Sequence, residues 1–500
     1  MVLKKKREWH GTVLPLIACV CAVLAVMLIT ACSNPLVSAV VATRSAAVWS
    51  RVIALPATEV AANHAVTLSW PATQGAESYN LYWSTSPNPT ISTATEIRNV
   101  SSPYVHEGLT NNLDYYYFLT ASIPESESKP SAVTRAMPMQ TVVYVNSYNR
   151  VNIYPVDNTT GALGALITGP NFGLGQISGI AVDTARKYAY LADRGYAKVY
   201  SFEINSDTGA LSEAGSPVST GASSFPSYIV IDSGSGYVYV VNSGTKNIMG
   251  YRVNSLDGSL TALTSGFPVT LANEQINGVT ISPSRPFIYF STYDFNSTPY
   301  KGHIYSQSIN TGTGELLPVG TATETPCFPG PIAFSLAGDF LYVTNQSDHP
   351  SIVDFYSYPV ISSSGVLETP PISNSIHQVS LNNIRNSGLA IDPLGRFLFV
   401  GNYMNDNSLT IFRISNGALS IVPVGGKDSL SISYAPGYMA VDTNGHCLYV
   451  VNESKIESYS INQTTGALTW LATTETLAAG DNNTNLGYYL IRDITVVSLP

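Results

Sequence analysis

Four side chains in this chain are placed where they could hydrolyse a carboxylic ester. Arg385 and Arg492 are the cations, and Glu274 and Asp493 are the carboxylates. Such a reaction needs a base that takes a proton from water and a donor that holds the developing oxyanion. Asn277 and Asn386 stand beside them and would complete a polar, ligand-binding rim. His377 lies in a long connection that could reach the same rim, although a solvated loop histidine is the plainer reading. Arg492 and Asp493 are also adjacent, so mutual neutralisation competes with a catalytic role for both.

Other chemistries find less support. There is no Gly-x-Ser-x-Gly elbow and no phosphate loop, and Asp481-Asn482-Asn483-Thr484-Asn485 lacks the calcium-loop pattern. No cofactor or metal is expected. Of five cysteines, Cys19, Cys21 and Cys32 fall at the amino terminus. Cys327 and Cys447 sit at different points of a repeat, which argues for two buried thiols over a disulfide or a zinc site.

The six residues of the rim are positioned by repeats. A Gly-x-Leu tripeptide begins at Gly161, Gly209, Gly258, Gly314, Gly365, Gly417 and Gly466, in steps of 48, 49, 56, 51, 52 and 49 residues. A period near fifty with strand-like content marks a propeller blade. One unit reads Ser227–Asp232, Tyr237–Asn242, Asn247–Val253 and then Asp257-Gly258-Ser259-Leu260. Asp183, Asp232, Asp392 and Asp442 end the inner strands, where Asp opens a hairpin by bonding its own backbone. The first repeat starts at Thr141-Val142-Val143-Tyr144, which matches a second strand, so its inner strand is missing. Arg492–Val497 has the right alternation to supply it, which would give seven blades over residues 141–500 with no free edge.

Upstream, Val66–Trp70, Ala76–Trp83 and Leu113–Ala121 alternate as strands, and Pro130–Thr134 looks like a closing strand. With Trp70 as core tryptophan and Tyr115, six residues after Leu109, as a corner tyrosine, residues 52–137 resemble a fibronectin type III domain. Trp83 reads as core or interface before it reads as a carbohydrate platform. The expected fold class is therefore all-β, a seven-bladed β-propeller preceded by a fibronectin type III-like β-sandwich.

Lys4, Lys5, Lys6 and Arg7 precede an apolar run from Val13 to Thr30, which ends in Leu28-Ile29-Thr30-Ala31-Cys32. This resembles a bacterial lipoprotein signal peptide over 1–31, with Cys32 lipidated and 32–51 a tether; the alternative is an uncleaved membrane anchor. The expected location is the cell envelope, at the outer membrane if the cell is Gram-negative, because Ser33 rather than Asp follows the cysteine. Removal of 1–31 takes four of 24 basic and one of 33 acidic side chains, leaving 20 against 32 and a net charge of −12. Nucleic acid is a poor partner for such a surface. A membrane reached through lipid, together with a small molecule, glycan or envelope protein, fits better.

Asp392-Pro393-Leu394-Gly395-Arg396-Phe397-Leu398-Phe399-Val400 and Asp207-Thr208-Gly209-Ala210-Leu211 resemble the lactonase-type propellers, which include 6-phosphogluconolactonase-like and muconate-cycloisomerase-like proteins. The resemblance implies His, Arg and Glu around a central channel. No histidine occurs at the inner-strand entries here, and His303, His349, His377 and His446 lie elsewhere. The expected function is thus ligand or protein binding by a lipid-anchored envelope protein. The alternative is a periplasmic lactone hydrolase.

Overall fold

A computed structural model describes residues 58–499 apart from 124–125, 148, 169–174, 186, 233, 272–273, 295–300, 326–327, 347–353, 376–384, 404–406, 435, 453–454 and 476–492. The described residues form strands and turns without a helix. Two compact units divide at Met137 and Pro138.

The first unit has two sheets. One orders Thr58–Ala62, Ala65–Ser69 and Tyr104–Glu107; the other is built on Ser78–Ser84 and Tyr115–Ile123. Alternate residues Val66, Leu68, Leu81, Tyr117 and Leu119 bury one face of each strand around Trp70, whose ring meets Tyr79 edge-on at 5.4 Å. Trp83 packs at the border of this core, 5.0 Å from His106 and 5.7 Å from Tyr115. The closing strand begins at Thr134, not at Pro130. Pro130 has no N–H to offer, and the Ser128 and Ser131 hydroxyls accept the N–H groups of Ala121 and Leu119 instead.

The second unit contains seven antiparallel sheets. Their inner strands are Asp493–Ser498, Ile177–Val182, Pro226–Asp232, Gln275–Ile281, Phe328–Phe334, Arg385–Ile391 and Met439–Val441, for blades one to seven. Each packs on the next, and the cycle closes because Asp493–Ser498 touches both Ile177–Val182 and Met439–Val441. The carboxyl-terminal strand pairs with Thr141–Ser147, from Asp493 opposite Asn146 to Ser498 opposite Thr141. The first blade thereby takes its inner strand from the far end of the chain.

All seven Gly-x-Leu glycines have left-handed φ, between +71° and +80°. The turn of each blade also lies against the second strand of the blade before it. A Cβ at Gly258 would overlap Tyr188, one at Gly314 Tyr237, one at Gly365 Phe287 and one at Gly466 Phe397. At the seam the same contact is made by Gly161 on Cys447. Two residues further along the second strand, on the same face, Tyr144, Tyr239, Tyr289 and Tyr449 donate to the carbonyls of Gly209, Gly314, Gly365 and Gly161 at 2.7–3.1 Å. Cys447 is a buried free thiol, and burial pushes its pKa up to about 12. Cys327 lies outside the described residues.

The aspartates that end inner strands are turn residues. Asp183 accepts the N–H groups of Lys187 and Tyr188, Asp442 those of His446 and Cys447, and Asp232 that of Gly234. Asp392 also pairs with the Arg396 guanidinium at 2.7 Å.

The interblade contact yields an ordering of stabilities. Gly365→Ala combines a left-handed φ with a methyl group driven into the Phe287 ring, and should cost about 2–3 kcal/mol. Tyr289→Phe removes one hydrogen bond and keeps the ring, so it should cost about 1 kcal/mol. Urea unfolding midpoints of the two variants check the order, and a Gly365→Ala protein as stable as its parent would refute the packing argument.

Candidate functional site at the channel entry

The inner strands of blades two to six share an irregularity near their entry ends. Their register shifts between Ile177 and Gly179, Pro226 and Tyr228, Ile276 and Gly278, Pro329 and Ile332, and Asn386 and Gly388. A bulge re-aims the extra residue away from the ladder. Here side chains at the bulges or beside them stitch blades two to five together. Ser178 donates to the Pro226 carbonyl at 2.7 Å, Tyr228 to the Asn277 carbonyl at 2.9 Å, and the Asn277 amide to the Pro329 carbonyl at 2.9 Å.

Inside this stitched ring lies a cavity of about 230 Å³, lined by residues that include Tyr228, Asn277, Ile332, Leu389, Met439 and Asp493. Six inner-strand segments contribute to it, so it lies on the channel axis. Its walls mix the apolar Val279, Ile332, Leu389 and Met439 with the polar groups of Tyr228 and Asn277, and its carboxylate is Asp493. That side chain is partly exposed to the cavity yet surrounded by protein. Its Oδ2 accepts the N–H of Ile180 at 3.0 Å and its Oδ1 that of Ile494 at 2.9 Å. Burial pushes its pKa up to about 7, against the opposing pull of those two N–H groups. A buried carboxyl group poised near neutrality at the edge of a cavity is suited to exchange a proton with water. The Asn277 amide has a second N–H beyond the one on Pro329, and that hydrogen can meet a ligand oxygen.

The remaining sequence candidates distribute as follows. Arg385 and Asn386 lie on the blade-six inner strand, opposite Tyr403 and Asn402, with side chains outside the described residues. Arg492 and His377 are outside them altogether. Glu274 is buried just before the blade-four inner strand, where it accepts from Thr292 at 2.5 Å, His303 Nδ1 at 3.0 Å and Tyr305 at 3.3 Å. It is the hub of a polar cluster that ties the inner-strand entry to the second and third strands.

Sequence reasoning missed His303 as the partner of Glu274. The two are 29 residues apart and meet because His303 pairs with Thr292, which pairs with Ile276. Tyr228 and Met439 were missed as lining residues, although both follow a proline at an inner-strand entry. Among the described residues, no group of three or more His, Cys, Asp or Glu could hold a metal ion, and no helix is long and apolar enough to cross a membrane.

The model of the family "Lactonase, 7-bladed beta-propeller" matches residues 149–274 and 353–481. A comparison with curated proteins found no match. Among solved structures, the periplasmic gluconolactonase of Pseudomonas aeruginosa aligns at 17% identity and TM-score 0.57, over 72% of this chain and 100% of that one. A Bacteroides uniformis protein provisionally named a 6-phosphogluconolactonase aligns at 17% identity and TM-score 0.56, over 72% and 99%. A Lactobacillus plantarum protein gives 16% and 0.54, over 72% and 100%. At these identities the structural likeness carries the fold alone.

The position of Asp493 makes stability depend on pH. Its pKa is about 7 in the folded chain and that of an ordinary carboxyl, about 3.9, in the unfolded one. Between those values the native state holds the extra proton, so this contribution to stability is full below about pH 4 and is lost as pH rises through 7. Thermal unfolding of the parent should lose more between pH 4 and 8 than that of Asp493→Asn, and parallel pH profiles would contradict the assignment.

Proposed function

The chain belongs to the seven-bladed β-propeller lactonase family, and from that premise we propose that it hydrolyses a lactone in the channel cavity, with Asp493 as the base. The observation that carries this reading is the Asp493 carboxyl, which borders the channel cavity with its pKa raised to about 7 by burial. Ionised Asp493 takes a proton from water as the water oxygen attacks the lactone carbonyl. The second N–H of Asn277 donates to the oxyanion of the tetrahedral intermediate. Collapse breaks the ring C–O bond, and Asp493 returns the proton to the departing alkoxide, which gives the hydroxy acid. The gluconolactonase name of the Pseudomonas aeruginosa protein agrees with a sugar lactone as substrate.

Binding without turnover is the second reading. It is favoured by the cavity lining, in which no Lys, Arg or His occurs among the described residues. A panel of five- and six-membered sugar lactones, assayed against spontaneous opening, separates the two. Turnover should appear, kcat/KM should rise with pH and level above about 7, and Asp493→Asn should lose about 10²–10⁴-fold. Lactone binding without turnover, or an Asp493→Asn variant as active as its parent, leaves binding as the function.

We further propose that the propeller works outside the cytoplasmic membrane, tethered through lipid on Cys32 with the amino-terminal unit as spacer. The supporting features are the basic start, the apolar run and the small residues before Cys32. Cells fed labelled palmitate should yield labelled protein, and Cys32→Ser should abolish the label. Equal labelling of the variant would remove the proposal.

A further inference from the structure

Phe225 immediately precedes the blade-three inner strand, three residues before Tyr228 of the cavity. It is a large apolar side chain that is 44% exposed, and its φ of +48° lies in the left-handed region that bulky residues avoid. Ser223, two residues earlier, is also left-handed at +53°. The surroundings hold this conformation in place. The Phe225 carbonyl accepts from the Ser243 backbone at 3.1 Å, the Ser243 hydroxyl at 2.9 Å and the Ser227 hydroxyl at 3.2 Å. Gly244 lies against one edge of the ring, where any side chain would collide.

Above the ring sits the guanidinium of Arg194, 5.2 Å from its centroid. Arg194 is itself positioned, with its N–H on the Gln176 carbonyl at 2.7 Å and Nη1 on Ser243 at 3.1 Å. Two residues on, Tyr196 is 57% exposed. Strain that is maintained by several bonds, in order to present an apolar ring to water, marks a binding feature better than a folding one.

We propose that Phe225, Arg194 and Tyr196 form a platform at the channel entry that binds acidic saccharides, meaning sugar rings that carry a carboxylate. A pyranose ring has an apolar face of C–H groups and a polar edge of hydroxyls. The exposed rings of Phe225 and Tyr196 offer the first an apolar partner, and the serine hydroxyls and guanidinium N–H groups meet the second. The free edge of Arg194 selects a carboxylate, which it binds through charge-assisted hydrogen bonds. In a chain of formal net charge −9, a fixed cation at the mouth gives that selection local contrast.

Calorimetric titration with trigalacturonate and, separately, with neutral cellotriose tests the platform. Trigalacturonate should bind at least about fivefold more tightly than cellotriose, and Arg194→Gln should erase that preference. Phe225→Ala and Tyr196→Ala should each weaken both ligands about fivefold with unchanged melting temperature. Absence of binding by either trisaccharide, equal binding of the two, or variants that bind as the parent does would each overturn the proposal. These ligands contain no lactone, so failure here leaves hydrolysis standing, and failure of hydrolysis leaves the platform standing.

Discussion

Close approach between a glycine turn of one blade and the second strand of the blade before it is the contact on which this ring depends. It recurs at all seven junctions, including the seam, where Gly161 meets Cys447 and Gly209 meets Val142. The hydrogen bond from the second strand to the glycine carbonyl does not recur in the same way. Tyr190 and Tyr342 occupy the equivalent position with buried, unpartnered hydroxyls, and Phe399 has no hydroxyl at all. Burial of an aromatic ring contributes about 2–3 kcal/mol and a hydrogen bond about 1. Packing across the junction therefore sets the blade spacing, and the hydrogen bond adds to it where a tyrosine happens to stand.

From that spacing the site follows. Seven junctions of one kind force the inner strands to converge, and their entry ends then crowd. Bulges at the crowded ends aim Ser178 and Asn277 across to the next strand. The space left over is the cavity. Its carboxyl group comes from the strand that closes the ring, so the seam and the proposed chemistry share one residue. A carboxyl that binds the Ile180 backbone across the junction holds blade one to blade two. The same group, kept half-neutral by its surroundings, is ready to move a proton. Raising the pH, which would ionise it for the proposed hydrolysis, also weakens its contribution to closure, a conflict typical of functional groups placed in structural positions.

The repeat was legible because its determinants are local. A glycine with left-handed φ, an aspartate that caps its own hairpin and a period near fifty are each contained within a few residues. Blade closure was also readable, since the missing inner strand of the first repeat and the alternation after Arg492 are complementary facts. The site was less so. Glu274 and His303 meet only through the register of three strands. Asp493 sits next to Arg492 in sequence, which invited a pairing between them, yet its oxygens are held by backbone N–H groups, one of them 313 residues away. In the amino-terminal unit, serine hydroxyls took over hydrogen bonds that a strand pattern assigns to the main chain.

The acidic residues show why a list of carboxylates says little about chemistry. Asp183, Asp232, Asp392 and Asp442 are spent on the turns that follow them. Burial also pushes the pKa of Asp442 upward, so a shifted pKa does not separate a functional acid from a structural one. Asp442 holds a closed hairpin with bonds from His446 and Cys447. Asp493 makes two backbone bonds of the same type, but its carboxyl also borders a space large enough for a small ring. Access, created by the bulged entries of neighbouring strands, is what converts one buried carboxyl among several into a candidate base.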